Sequence, residues 1–201
     1  MLKFSIITPV MLWNTERTDD FLRCIESVKN QTFKDFEWVI INEGSTLPFL
    51  WDQLLDNSIP RVNIIHKEHG ERVIAYNRAF EVARGDWWLF LDSDDELTSD
   101  CLEILEKYIK KYRSSNFKRQ PKNSPSAKLF NFGAIYKYKD GEETKRPPFK
   151  PKWLGKKYGH EQFGGGNIVN GTFIFHSSVY KKLGGFPPDV IENADCTSIN
   201  Y

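Results

Sequence analysis

The sequence predicts an α/β fold in which helices flank a mostly parallel central sheet. Three observations predict it. Short apolar runs alternate with amphipathic stretches from Phe4 to Tyr112, and this strand–helix order calls for right-handed crossovers between parallel strands. The run Trp87–Leu91 is apolar at every position, as expected of a strand covered on both faces. Polar loops follow three of the runs, at Thr8–Trp13, Asn42–Ser45 and Asp92–Asp95, and in such sheets ligands bind at the carboxyl ends of the strands.

Taken in order, Phe4–Ile7 reads as a buried strand that ends at Thr8-Pro9. Thr18-Asp19-Asp20 can start a helix, with acids at its positive end. Phe21, Leu22, Ile25 and Val28 then recur at helical spacing up to about Asn30. Phe36–Ile41 is a second strand, closed by Asn42-Glu43-Gly44-Ser45, and Val62–Ile65 is a third. A short helix is expected over Phe49–Leu55. Arg72–Ala83 reads as a helix with Ile74, Ala75, Ala79, Phe80 and Ala83 facing inward, and Gly85 is its expected stop. After the fourth strand, Ser99–Tyr112 is a helix with Leu102, Leu105, Tyr108, Ile109 and Tyr112 inward. Composition then shifts. Ser114–Lys128 is polar and carries Pro121 and Pro125, which reads as a mobile loop. Lys128–Tyr138 returns to strand, with Asp140-Gly141 as a hairpin turn. Pro147–Gly166 is rich in Pro, Gly and Lys and reads as a flap over a site. Gly171–Phe175 is a strand, and Ser177–Leu183 a short helix ended by Gly184-Gly185.

With 201 residues, 28 Lys+Arg and 27 Asp+Glu, the formal net charge is +1. That disfavours nucleic acid as a partner. Cys24, Cys101 and Cys196 stand far apart, which supports neither a zinc site nor a disulfide framework and fits a reducing compartment. No apolar run reaches the roughly 18 residues needed to span a bilayer. The opening MLKFSIITPV is too short for a signal-peptide core and reads as a strand. The near-neutral total hides a local separation. Seven acids and no base lie between Leu91 and Glu106, and eight bases and no acid lie between Lys107 and Lys128.

Asp92-Ser93-Asp94-Asp95 is the stretch most able to do chemistry. Three carboxylates within four residues repel one another unless a cation is present. An extended chain would put Asp92 and Asp94 on one side, and a turn would bring in Asp95. Their hard oxygens suit Mg2+ or Mn2+, which bridge phosphates; the alternative is a solvated turn or a helix cap. Glu43 can accept a hydrogen bond from a nucleobase N–H, or belong to a plain strand-to-helix turn. Arg72 and Arg78 lie on the helix entering the fourth strand, where either can meet a diphosphate, although a solvated face suits Arg78 better. His66 and His69 read as ordinary loop histidines. Gly164-Gly165-Gly166 lacks the strand-to-helix surroundings of a dinucleotide fingerprint, and neither GxxxxGK[ST] nor GxSxG occurs.

FSIITPV followed by FLRCIESVKNQTFKDFEWVIINEGST, then GERVIAYNRAFEVARGDWWLFLDSDD, then NGTFIFHSSVYKKLGGF together resemble the family 2 glycosyltransferases. These are inverting enzymes of the Rossmann-like GT-A fold. The resemblance covers Phe4 to about Asp195 and implies one domain over 1–201. Residues 1–112 would bind the nucleotide-sugar, and 113–201 would form a smaller acceptor-side region with antiparallel strands. By position it implicates Thr8, Pro9 and Glu43 in nucleobase and ribose binding, with Arg72, Asn77 and Ser93 also on the donor side. Asp92, Asp94 and Asp95 fall at the DxD metal motif, and Asp195 falls at the general base, with Glu192 and Asp189 as rivals. The implied cofactor is Mn2+ or Mg2+, the implied donor a UDP-sugar, and the implied acceptor a glycan, a lipid-linked group or a protein. A cytoplasmic place follows from the resemblance, with contact at the inner face of a membrane allowed. A nucleotidyltransferase of the related fold and a non-catalytic nucleotide-sugar-binding domain are the competing expectations. Several positions depart from the family. Asn42-Glu43 stands where Asp-Asp is usual, Val10-Met11 where Tyr-Asn is usual, Tyr76 where an Arg precedes Asn77, and Ala194-Asp195 where Glu-Asp is usual. The chain stops at Tyr201, where family members continue with a helix, so a truncated or minimal acceptor side is expected.

Overall fold

The computed structural model describes residues 2–47, 51, 59–69, 72–113, 129–131, 133–138, 140–146 and 173–184. Strand β1 (Phe4–Val10) is buried along its whole length. Strand β2 (Phe36–Glu43) lies parallel to it on one side, with Phe4 opposite Phe36. Strand β3 (Val62–Lys67) pairs parallel with the far side of β2. Strand β4 (Trp87–Phe90) lies parallel on the other side of β1. Beyond it come β8 (Phe173–His176) and β5 (Leu129–Asn131), each antiparallel to its neighbour, which gives the order β3-β2-β1-β4-β8-β5. A separate hairpin pairs β6 (Ala134–Lys137) with β7 (Glu143–Arg146). Its turn places Gly141 at φ 88°, and Asp140 accepts a bond from the Glu142 N–H.

Side chains alternate across a strand, so each strand feeds two cores. Phe4, Ile6, Trp38, Ile40, Trp87 and Leu89 meet helix α1 (Thr15–Lys29) and helix α3 (Cys101–Arg113). Ile7, Val39, Ile41, Trp88 and Phe90 meet helix α2 (Arg72–Val82) on the opposite face. The α1 crossover covers one face and the α2 crossover the other, which makes the doubly wound arrangement. The sheet passes without a break from the first half of the chain into the second, through β4 and β8.

Several elements differ from the expected ones. Helix α1 starts at Thr15 rather than Thr18, because Asn14 supplies the cap and accepts the Arg17 N–H at 2.8 Å. Strands β1, β2 and β3 run on to Val10, Glu43 and Lys67. Pro9 is accommodated because pairing with β4 has already stopped at Ile7. His66 is therefore a strand residue and not a loop histidine. Ile74 and Tyr108 point outward, at 43% and 50% exposure. The inner stripe of α2 is Ala75, Ala79 and Phe80, and that of α3 is Leu102, Leu105 and Ile109. Gly85 does not stop α2, which ends at Val82. It sits instead against the backbone of Phe4 and Ser5. The single strand expected over Lys128–Tyr138 is two strands, in different sheets. Helix α4 (Ser178–Leu183) ends at Gly184 with φ 77°, as expected. Of the short helix expected over Phe49–Leu55 only Trp51 is described, and the segments 114–128 and 147–166 lie outside the described residues.

Candidate active site

Because β2, β1 and β4 are adjacent and parallel, their carboxyl ends share one edge. The chain winds from β1 outward to β2 and β3, then crosses to β4 on the other side of β1. The crevice of an open α/β sheet forms at that reversal. The loops after β1 and β4 flank it, and the end of β2 stands beside them.

The first two loops are tied together. The Leu12 N–H donates to Ser45 Oγ at 2.9 Å, and the Leu12 carbonyl accepts from the N–H groups of Thr46 and Leu47. Thr8 is fully buried, and its hydroxyl accepts the Trp38 indole N–H at 2.9 Å. Pro9 is buried in the strand. Asn42 accepts the Ser45 N–H at 3.0 Å, and its amide nitrogen lies 3.0 Å from His66 Nδ1. Glu43 is buried on the opposite face, where Lys67 Nζ donates to its carboxylate at 3.3 Å. Asn42 and Glu43 thus belong to β2 itself. Gly44 turns away at φ 77°.

The third loop is a turn and not an extended stretch. The Asp95 N–H donates to the Asp92 carbonyl at 3.1 Å, which folds Asp92, Ser93, Asp94 and Asp95 into one bend. The buried Cys24 thiol donates to the same Asp92 carbonyl at 3.8 Å and anchors the turn on α1. Loss of hydration, then the charges of Asp92 and Asp94, push the Asp95 carboxyl up to about 7. Asp94 and Asp95 are nevertheless open to solvent, so a cation can reach them. Arg17 Nη1 holds Asp94 Oδ2 at 2.7 Å, and Arg23 lies 3.7 Å from Glu96.

The other expected residues scatter. Arg72 is the first residue of α2, and Asn77 is half-buried one turn and a half further on. Ser93 sits in the acidic turn. Arg78 pairs with Glu81 on the exposed face of α2. Asp189, Glu192 and Asp195 lie outside the described residues. Sequence reasoning missed Arg17 and Lys67. Each sits on another element from its acidic partner, 77 and 24 residues away, and no local pattern marks such a pair.

The donor chemistry of the turn suits a hard divalent cation, with clustered carboxylate oxygens and, at Asp95, a field that opposes ionisation. Among the described residues, no group of three or more His, Cys, Asp or Glu side chains is already gathered to hold one. Asp94 is drawn to Arg17 instead.

The chain matches the model of the family described as Glycosyl transferase family 2 over residues 5–184. It belongs to that family. It is 36% identical over 113 residues to the uncharacterized glycosyltransferase YibD of Escherichia coli (strain K12), covering 51% of this chain and 29% of that protein. It is 35% identical over 101 residues to the putative glycosyltransferase EpsH of Bacillus subtilis (strain 168), covering 48% and 28%. It is 41% identical over 91 residues to the chondroitin synthase of Pasteurella multocida (strain Pm70), covering 44% and 9%. The match thus spans less than a third of each of these relatives. Among solved structures, S. aureus TarS 1-349 in complex with UDP-GlcNAc aligns with TM-score 0.61 at 18% identity, covering 92% of this chain and 49% of that one. The mannosyltransferase PcManGT from Pyrobaculum calidifontis, in complex with GDP-Man and Mn2+, aligns with TM-score 0.59 at 14% identity, covering 93% and 48%. At these identities the likeness shows the fold, and the fold is GT-A.

Proposed function

We propose that this protein is a metal-dependent glycosyltransferase that moves a sugar from a UDP-sugar to an acceptor hydroxyl, with inversion at the anomeric carbon. One observation carries the reading: the acidic turn Asp92–Asp95 stands at the reversal point of the parallel sheet, facing the loops after β1 and β2, in a chain of this family. TarS in complex with UDP-GlcNAc and PcManGT in complex with GDP-Man and Mn2+ support a nucleotide-sugar donor and a divalent cation. The relatives named chondroitin synthase and O-antigen biosynthesis protein RfbC support a place in surface polysaccharide or glycoconjugate synthesis.

In this reading the end of β1 at Thr8 and Pro9 lines the nucleobase and ribose, and Glu43 accepts a nucleobase N–H with Lys67 fixing its carboxylate. Arg72, Asn77 and Ser93 complete the donor side. Asp92 and Asp94 would hold Mn2+ or Mg2+, with Asp95 beside them, and the bound ion would supply positive charge against the leaving diphosphate. Asp195, or its rivals Glu192 and Asp189, takes the acceptor's proton as its oxygen attacks from the face opposite the leaving group. We read residues 1–201 as one domain, with 1–112 serving the donor and 113–201 the acceptor; the unbroken sheet from β4 to β8 supports it. The acceptor is a glycan, a lipid-linked group or a protein. No helix among the described residues is long and apolar enough to cross a membrane, and we place the chain in the cytoplasm, where sugar nucleotides are held.

Isothermal titration of UDP with and without Mn2+ tests this. Binding that strengthens at least tenfold with Mn2+ is expected, and Asp94→Ala should remove the metal-dependent part. Equal binding in both conditions overturns metal dependence. Asp195→Ala should leave donor binding within twofold and lower transfer by about 100-fold or more, the scale of general-base catalysis. Full residual transfer rejects Asp195 and sends the test to Glu192 and Asp189.

A further inference from the structure

Helix α1 brings Arg17 to the acidic turn. Its Nη1 lies 2.7 Å from Asp94 Oδ2, and the two side chains are 32% and 39% exposed. The guanidinium carbon also lies 4.9 Å from the ring centroid of Trp13, an indole that is 49% exposed. Trp13 and Arg17 are four residues apart around the Asn14 cap, so one turn of chain sets both. The guanidinium is therefore held between an indole face and a carboxylate, at the edge where the strands end.

This arrangement explains a contradiction within the turn. The sequence crowds three carboxylates into one bend, yet among the described residues no three acids are gathered for a cation. One Asp94 oxygen, Oδ2, is already accepting from Arg17. An ion pair this open to water is weak, so a divalent cation with several oxygen ligands can displace it. Displacement moves the guanidinium relative to the Trp13 ring, so the indole reports it.

We propose that Arg17 is the built-in counter-ion of Asp94, and that a divalent cation enters the turn only by displacing it, so that Arg17 sets the cation affinity of the site. The inference rests on the metal-dependent reading of the same turn. Arg17 acts here as a positioning residue, through Asp94. Removing its charge frees the carboxylate and removes a repelling neighbour.

The test is calorimetric titration of Mn2+ alone into the full chain, without nucleotide, for wild type, Arg17→Gln and Arg17→Lys. An exposed ion pair is worth up to about 1 kcal/mol, or about fivefold in affinity. Arg17→Gln should therefore bind Mn2+ tighter by up to about fivefold, and Arg17→Lys should stay near wild type. A second measurement uses Mg2+ and the fluorescence of Trp13, taken as the difference from Trp13→Phe. Cation addition should shift it in wild type and leave it unchanged in Arg17→Gln. Wild-type Mn2+ binding with equal or weaker binding by Arg17→Gln overturns the role of Arg17 and leaves metal dependence standing. No Mn2+ binding by any variant, even with UDP present, overturns the metal-dependent reading itself.

Discussion

Glu37 is a buried carboxylate near the start of β2, and three donors explain how it stays there. Ser5 Oγ donates at 2.6 Å, the Arg84 N–H at 2.5 Å and the Gly85 N–H at 3.1 Å. A buried carboxylate is tolerable when donors surround it. These bonds pull the segment between α2 and β4 onto the start of β1, so closely that a Cβ on Gly85 would lie 2.5 Å from Phe4 C and Ser5 N. Those are backbone atoms of a central strand and cannot swing aside. Gly85→Ala should therefore lower stability by about 2–3 kcal/mol, the range of an overpacked core, read from the urea midpoint. An unchanged midpoint would mean that the segment is not docked so tightly. Nothing local marks this role. The Gly after a helix reads as a stop signal, and only the tertiary approach of β1 reveals the actual constraint. The same limit hid Arg17 and Lys67, whereas the acidic turn was plain, because its three carboxylates fall within four residues of chain.

Helices α1 and α3 contribute to the same core on one face of the sheet, and Gln31 couples them. It is fully buried. Its Nε2 donates to the carbonyls of Ser27 at 3.0 Å and Thr98 at 2.8 Å, and its Oε1 accepts the Leu102 N–H at 3.1 Å. One amide thus closes the end of α1 and satisfies an N–H in the first turn of α3, which otherwise has no intrahelical partner. The segment it holds, Thr98–Leu102, leads directly out of the acidic turn. Gln31→Ala takes the partner from two carbonyls and an N–H in the interior. The expected loss is about 3 kcal/mol, three unsatisfied groups at about 1 kcal/mol each, with a parallel weakening of metal-dependent UDP binding. A variant as stable as wild type would show that water takes over all three partners. At this scale the sequence was most legible where periodicity is strong, in β1 to β4 and in α1 to α3. It misled at the element ends, where Asn14 outcompeted Thr18 as the cap, and on the outer helix faces, where Ile74 and Tyr108 are apolar but unneeded by the core.

Across the whole molecule, the donor-side edge and the core meet at Cys24. Its thiol is buried in the core shared by the sheet, α1 and α3, and it touches the Asp92 carbonyl of the acidic turn. Burial raises its pKa well above the ordinary value, and Asp95, Asp94, Glu96 and Asp92 raise it further. Cys101 is pushed up to about 12, first by burial and then by Asp100. An alkylating reagent needs the thiolate, so neither cysteine reacts at pH 8 while the protein is folded. Both react once it opens and their thiols regain ordinary acidity. The same shift has a consequence for stability. The thiol of Cys101 ionises near 9.0 in the unfolded chain and near 12 in the folded one. Its contribution is therefore intact below pH 9 and drains away as pH rises from 9 to 12. Labelling at pH 8, read for each cysteine by peptide mass spectrometry, then counts openings of the core. If the metal-dependent donor site is the edge described above, UDP with Mn2+ at about 100 times Kd should add about 2.7 kcal/mol to the folded state. Cys24 labelling should slow about 100-fold, and UDP alone should do much less. Equal protection by UDP with and without Mn2+ would place the nucleotide on this edge without the cation. Rapid labelling of Cys24 in every condition would show that the acidic turn opens away from α1 without global unfolding, and the anchoring of the turn by Cys24 would then be wrong.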